Sequence, residues 1–274
     1  MLWTPQKGRT KIITNSGIVG TATPGTGVPS NATTLLDGAV TEIISAANNI
    51  QDSWGIGIWI TATGLSNTIA EACMDILIGG ATDDVLIPAL ICGHANLNEG
   101  GRQYFFPLHI PQGKRIAASL ASVRTSITSQ VIVSLYGGSP PPFKTGRKVT
   151  AYGTQINNAR GQAVVPAASG AAASVTEMTA STAADHFALM PGFQPATDNI
   201  LNANLFNIGI GIGAATEERV KTWQYGLSTT ENMVGPFDCF PAFGEFPSGS
   251  RLTMLASNSG VNDLAYDGLI YAVS

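Results

Sequence analysis

The stretch IGIGIGAATEE, residues 208–218, sets Gly209, Gly211 and Gly213 two residues apart, ahead of a turn and two acids. Glycines at this density suggest a phosphate cradle, because backbone without side chains can close its N–H groups on an anion. A dinucleotide loop, however, reads G-x-G-x-x-G between a strand and a helix. Here the third glycine falls one residue early, and the following AATEERVKTW returns to strand-like alternation. The earlier DILIGGATDD repeats the pattern with Leu77 in the place of Gly211. A strand tolerates that exchange and a phosphate loop does not, so the reading is a glycine-faced strand. A glycine face lets another backbone approach closely, which makes Gly209, Gly211 and Gly213 candidate interface positions.

The other reactive residue types give no catalytic or metal constellation. Asp83–Asp84 and Glu217–Glu218 sit at matching turns without the further oxygens a calcium loop needs. His94, His109 and His186 have no metal-ligand spacing, and His109, inside FPLHIP, reads as a core or interface residue. No G-x-S-x-G elbow occurs. Cys73, Cys92 and Cys239 are scattered through apolar stretches and read as buried free thiols. The expectation is a protein with no catalytic residue, no metal and no cofactor. One feature is shared by both halves of the chain: P-x-G-x-R at Pro111–Arg115 and Pro247–Arg251. Pro and Gly make a turn into a strand. Arg115 and Arg251 then either bond a carboxylate or carbonyl to hold that turn, or reach across a subunit interface.

These residues sit in a duplicated frame. AVTE at 39–42 returns as SVTE at 174–177, IGGATDD at 78–84 as IGAATEE at 212–218, and FFP at 105–107 as CFP at 239–241. IPQGKRI at 110–116 returns as FPSGSRL at 246–252, all at offsets of 134 to 136 residues. Within each copy, period-two runs of β-branched and aromatic residues are bounded by Gly, Pro, Asn or Ser. The expected architecture is all-β: two tandem antiparallel β-sandwich domains, jelly-roll-like, produced by an internal duplication. The first spans 1–138 with an extended N-terminal arm, 139–145 is a Pro-rich linker, and the second spans 146–274. Each copy opens on a polar Gly/Pro-rich arm, 17–34 and 152–170, which is either a disordered lead or a segment lying extended across a neighbour and ordered by it; its presence in both copies favours the second.

Composition narrows the partners. Hydrophobic residues make up 44% of the 274 and charged ones only 12%, about half the usual share. A surface so poor in charge suits one hidden against other proteins, and composition fits a monomer with a neutral Ser/Thr/Asn-rich surface equally well. The net charge of −4 and the scattered basic residues exclude a phosphate-backbone stripe, so nucleic acid is not an expected partner. No apolar run reaches membrane-spanning length, and the N-terminus MLWTPQKGRTK has no apolar core of a signal peptide.

The segment FFPLHIPQGKRIAASLAS … VSLYGG, with the upstream DILIGGA, resembles a module of structural proteins from tailed bacteriophages. It is similar to a β-sandwich unit of virion decoration or tail-associated proteins, over the second half of each copy. The resemblance implies a non-enzymatic, multi-copy component of the virion, made in the host bacterial cytoplasm. Its partners would be itself and other virion proteins such as the major capsid protein. A trimer of a duplicated chain would present six similar units. The first expectation is therefore an accessory capsid (decoration or cement) protein. The second is a tail-tip receptor- or carbohydrate-binding protein with Trp54, Trp59, Trp223 and Tyr225 as candidate platform residues, although their alternating strand positions favour the core.

Overall fold

The computed structural model describes residues 10–14, 25–63, 72–80, 82–92, 102–138, 143–154, 161–195, 204–213, 218–227, 233–234, 240–260 and 266–274. Nine strands lie in the first half: β1 Thr10–Thr14, β2 Thr26–Pro29, β3 Thr41–Ile44, β4 Ser53–Thr63, β5 Ala72–Gly79, β6 Asp83–Ile91, β7 Arg102–Phe106, β8 Arg115–Ser122 and β9 Thr128–Gly138. Ten follow: β10 Val149–Tyr152, β11 Gln162–Val164, β12 Ser174–Thr179, β13 His186–Pro195, β14 Asn204–Ile212, β15 Glu218–Leu227, β16 Met233–Val234, β17 Ala242–Phe246, β18 Leu252–Asn258 and β19 Tyr266–Val273.

Their pairing is that of two jelly rolls. The first half forms sheets β1-β9-β4-β7 and β3-β8-β5-β6; the second repeats them as β10-β19-β13-β17 and β12-β18-β14-β15, with β16 added at the β15 edge. Every ladder between the described strands is antiparallel. The all-β tandem β-sandwich expected from the repeats is the observed fold.

The alternation read in the sequence sorts side chains as expected. Ile56, Ile58 and Ile60 of β4 face Val131, Val133 and Leu135 of β9 and the Met74–Ile76 side of the opposite sheet, all in one buried cluster. The second core is more aromatic: Phe193 and Tyr266 stack at 4.9 Å, with Phe206 edge-on to Tyr266 at 4.9 Å. Cys73 and Cys92 are buried free thiols; Cys239 lies outside the described residues.

The arms differ from expectation. Their described parts, β2 and β11, pair with β9 and β19 of their own sandwich. Among the described residues, β1 pairs with the Ser134–Gly138 stretch of β9 and β2, from the same chain, with the Thr128–Val131 stretch. Gly146, directly after the linker, is fastened to the chain after β7, where His109 N–H donates to Gly146 O at 2.8 Å and Gly146 N–H to Pro107 O at 2.8 Å. His109 itself is exposed and not a core residue.

Candidate functional site

Arg115 binds Asp83 at the start of β6 through Nε and Nη2. Arg251 donates from Nε to Glu177 at 2.6 Å and from Nη1 to Gly213 O at 3.0 Å. Both arginines thus tie the strand after the P-x-G-x-R turn to the neighbouring β5–β6 or β14–β15 turn within the chain. Gly113 and Gly249 take φ of 74° and 83° in those turns, a region that favours glycine. A duplicated carboxylate that the motif search missed completes them: Asp52 accepts Gln112 N–H at 2.8 Å and Asp185 accepts Ser248 N–H at 2.7 Å. Gly209 and Gly211 are buried in β14, and Leu255 of β18 leans over Gly209. Gly213 ends the strand at φ 130°.

The junction between the sandwiches holds a different set of residues. The outer face of β10-β19-β13 is covered by the β6–β7 edge of the first sandwich, and Val149, Met190, Leu269 and Val273 join the first sandwich's apolar cluster. Tyr271 lies at its centre, fully buried. Its hydroxyl donates to Ala89 O at 2.9 Å and accepts Ile91 N–H at 2.7 Å. It therefore satisfies the open backbone edge of β6, which would otherwise be buried without partners. Tyr104 and Phe106 meet its ring edge-on, each at 5.9 Å. Arg102 donates from Nη1 to Phe193 O across the junction. Asp75 shapes the docked edge by accepting Ala89 N–H at 2.7 Å, where Ala89 adopts φ 49°. Burial pushes the Asp75 carboxyl up, opposed by that hydrogen bond.

The twin of this covered face is open. Tyr136 is the counterpart of Tyr271 and Gly57 that of Gly192, each 135 residues apart. The registers agree: Gly57 pairs with Ser134 and Gly192 with Leu269. In both copies the tyrosine ring lies over the glycine. A Cβ on Gly57 would stand 3.0 Å from the Tyr136 ring, and one on Gly192 would stand 2.7 Å from the Tyr271 hydroxyl. Yet β19 is buried on both faces, whereas β9 alternates buried and half-buried. The open face forms a groove of about 300 Å³ lined by Gly57, Trp59, Gln103, Phe105, Ser134 and Tyr136 among others. Phe240 of the second sandwich walls its β7 side, 5.7 Å from the Phe105 ring. Of the four aromatic platform candidates, only Trp59 is exposed, at 42%. Trp54 is buried beside Tyr136, Phe105 and Phe143, while Trp223 and Tyr225 belong to the second core.

The groove lining carries no charged side chain among the described residues. Among the described residues, no three His, Cys, Asp or Glu side chains gather to hold a metal. What the geometry offers is an apolar, aromatic sheet face that also carries the Gln103 amide and the Ser134 and Tyr136 hydroxyls. That suits contact with another surface.

No protein-family model matches the chain, and no curated protein does. Among solved structures it is similar to PNGF-II in a C2 crystal form, at 8% identity and TM-score 0.36 over 98% of this chain and 66% of that one. It is also similar to the structure of the infectious bursal disease virus Gx strain, at 12% identity and TM-score 0.23 over 97% of this chain and 71% of that one. The chain thus spans just under two thirds of the PNGF-II chain. Similarity at these TM-scores carries no functional argument.

Proposed function

We propose that the chain is a non-enzymatic structural protein of a bacteriophage virion, an accessory capsid protein of the decoration type acting through protein–protein interfaces. The observation that carries this reading is the open outer face of β1-β9-β4-β7, whose twin in the second sandwich is already a protein-docking surface. A low charge density and the resemblance of the DILIGGA and FFPLHIPQGKRIAASLAS segments to phage virion modules support it. Its partners are its own copies and the major capsid protein. The test is to separate heads from tails of purified virions and locate the chain by mass spectrometry, then to add purified protein to capsids stripped of it. Recovery with heads and saturable rebinding are expected. Absence from virions overturns the reading.

A second reading, a tail-associated receptor- or carbohydrate-binding protein, is favoured by one observation: exposed Trp59 stands beside Gln103 and Ser134 in the groove, an aromatic platform with polar margins of the kind sugars stack on. Glycan-array binding that Trp59→Ala abolishes, with recovery in the tail fraction, would replace the capsid reading with this one.

A further inference from the structure

We propose that the open face of β1-β9-β4-β7 seats a second copy of this chain, and that the element seated is the β15 edge of that copy's second sandwich. The inference rests on the assembly reading above and specifies its interface.

The chain itself contains one instance of the contact. The β6 edge of the first sandwich lies on the face of the second, crossing β10 and β13. Edge and face are different surfaces, so the contact is heterologous. Each sandwich carries one of each. Among the described residues, the intramolecular contact uses the first edge and the second face; the first face is met only at one margin, by Phe143 and Phe240, and the second edge only at one end, by β16. Another copy supplies the missing half of each pair, and repetition yields a closed ring or an open filament. A ring of three chains would contain six sandwiches.

The open face keeps the features by which its twin seats an edge. Tyr136 stands over Gly57 in the same register as Tyr271 over Gly192. The flanking positions have changed character. In the covered face they are Gln194 and Asp267, buried and paired in register, with Gln194 Nε2 at 3.5 Å from Asp267. In the open face they are Trp59 and Ile132, also paired in register. The edge residue near the polar pair is Arg102, which bonds Phe193 O next to Gln194. The open face thus carries an apolar pair where its twin carries a buried polar one.

β15 occupies the place of β6. Gln224 faces Asn207 as Ile91 faces Cys73. Among the described residues, β16 pairs only with Gly226 and Leu227 of β15. Phe240 closes the groove on its β7 side, so the incoming edge crosses from β1 and β9 toward β4, the path β6 takes over β10 and β13. The Tyr136 hydroxyl then meets the Gln224 backbone as Tyr271 meets that of Ile91.

The test uses the full chain. Sedimentation velocity across a concentration series should show self-association for the parent and for Val175→Arg, an exposed site on β12. Trp59→Arg should weaken association by roughly thirtyfold or more, the scale of a buried aromatic hot spot, with unchanged circular dichroism and unfolding midpoint. Should that variant misfold, Ser134→Arg gives the same reading from a smaller residue. In parallel, p-benzoylphenylalanine at position 59 in a mixture of isotopically heavy and light chains should crosslink between chains to the 218–227 peptide. A parent monomeric at its highest soluble concentration overturns the inference; if it also fails to rebind stripped capsids, the assembly reading falls with it. An oligomer that survives both arginine variants, or interchain crosslinks to another segment, overturns the inference alone and leaves a structural protein assembled through a different face.

Discussion

Two tyrosines at equivalent positions have different tasks, and the difference is measurable. Removing the Tyr271 hydroxyl strands the buried Ile91 N–H and Ala89 O that it serves. Tyr271→Phe should therefore destabilise by about 1–3 kcal/mol, the cost of an unsatisfied buried group, read as a lower urea midpoint. Tyr136→Phe, at a half-buried site that water reaches, should cost less in the same measurement. His186 provides a pH signature. Its Nε2 lies 2.8 Å from the Tyr152 hydroxyl, and burial pushes its pKa below the usual value, partly opposed by the Asp185 carboxylate. A histidine held neutral in the fold binds more protons when unfolded, so its stabilising contribution is full above the unfolded pKa of about 6.5 and is lost as pH falls through it. Melting temperatures between pH 7.5 and 5 should fall less steeply in His186→Gln than in the parent.

At the scale of elements, the turns, the sandwich cores and the domain junction differ in how visible they were in the sequence. The P-x-G-x-R turns were visible as motifs, and their arginines act on the neighbouring turns within the chain. Asp52 and Asp185 do a comparable task without a motif, because they lie far in sequence from Gln112 and Ser248, the amides they cap. Nor did IGIGIG foreshadow that Leu255, on the adjacent strand, would lean over Gly209. The glycines that shape the junction are Gly57 and Gly192, and each is recognisable only once β4 and β13 are paired with β9 and β19. Gly192→Ala would drive a Cβ into the buried Tyr271 ring, and it should cost about 1–3 kcal/mol, the usual scale of overpacking. Gly57→Ala meets a half-exposed ring that can swing aside and should cost distinctly less, with paired thermal melts as the measurement.

For the whole molecule, the junction is part of the core. Apolar residues of β10, β13 and β19 share a cluster with the first sandwich, and Tyr271 and Arg102 carry hydrogen bonds across it. Two sandwiches so joined should unfold together. Calorimetry should show one transition whose calorimetric and van't Hoff enthalpies agree. Tyr271→Arg, which places a charge in that junction, should split or broaden the transition.

The all-β class and the duplication were legible in the sequence because both are written locally. Side-chain alternation has a period of two, turn residues mark where strands end, and a repeated word keeps its offset whatever the chain does in space. The aromatic platform was legible only in part: alternation favoured the core for all four candidates, of which Trp54, Trp223 and Tyr225 are buried but Trp59 is not, since burial of an outward-facing residue depends on what lies above the sheet. Tertiary structure alone decided that the second sandwich's face is covered by the β6 edge while the identical Tyr-over-Gly arrangement in the first is left open. That asymmetry arises because one heterologous contact between two like domains consumes one edge and one face, and no property of either repeat taken singly says which.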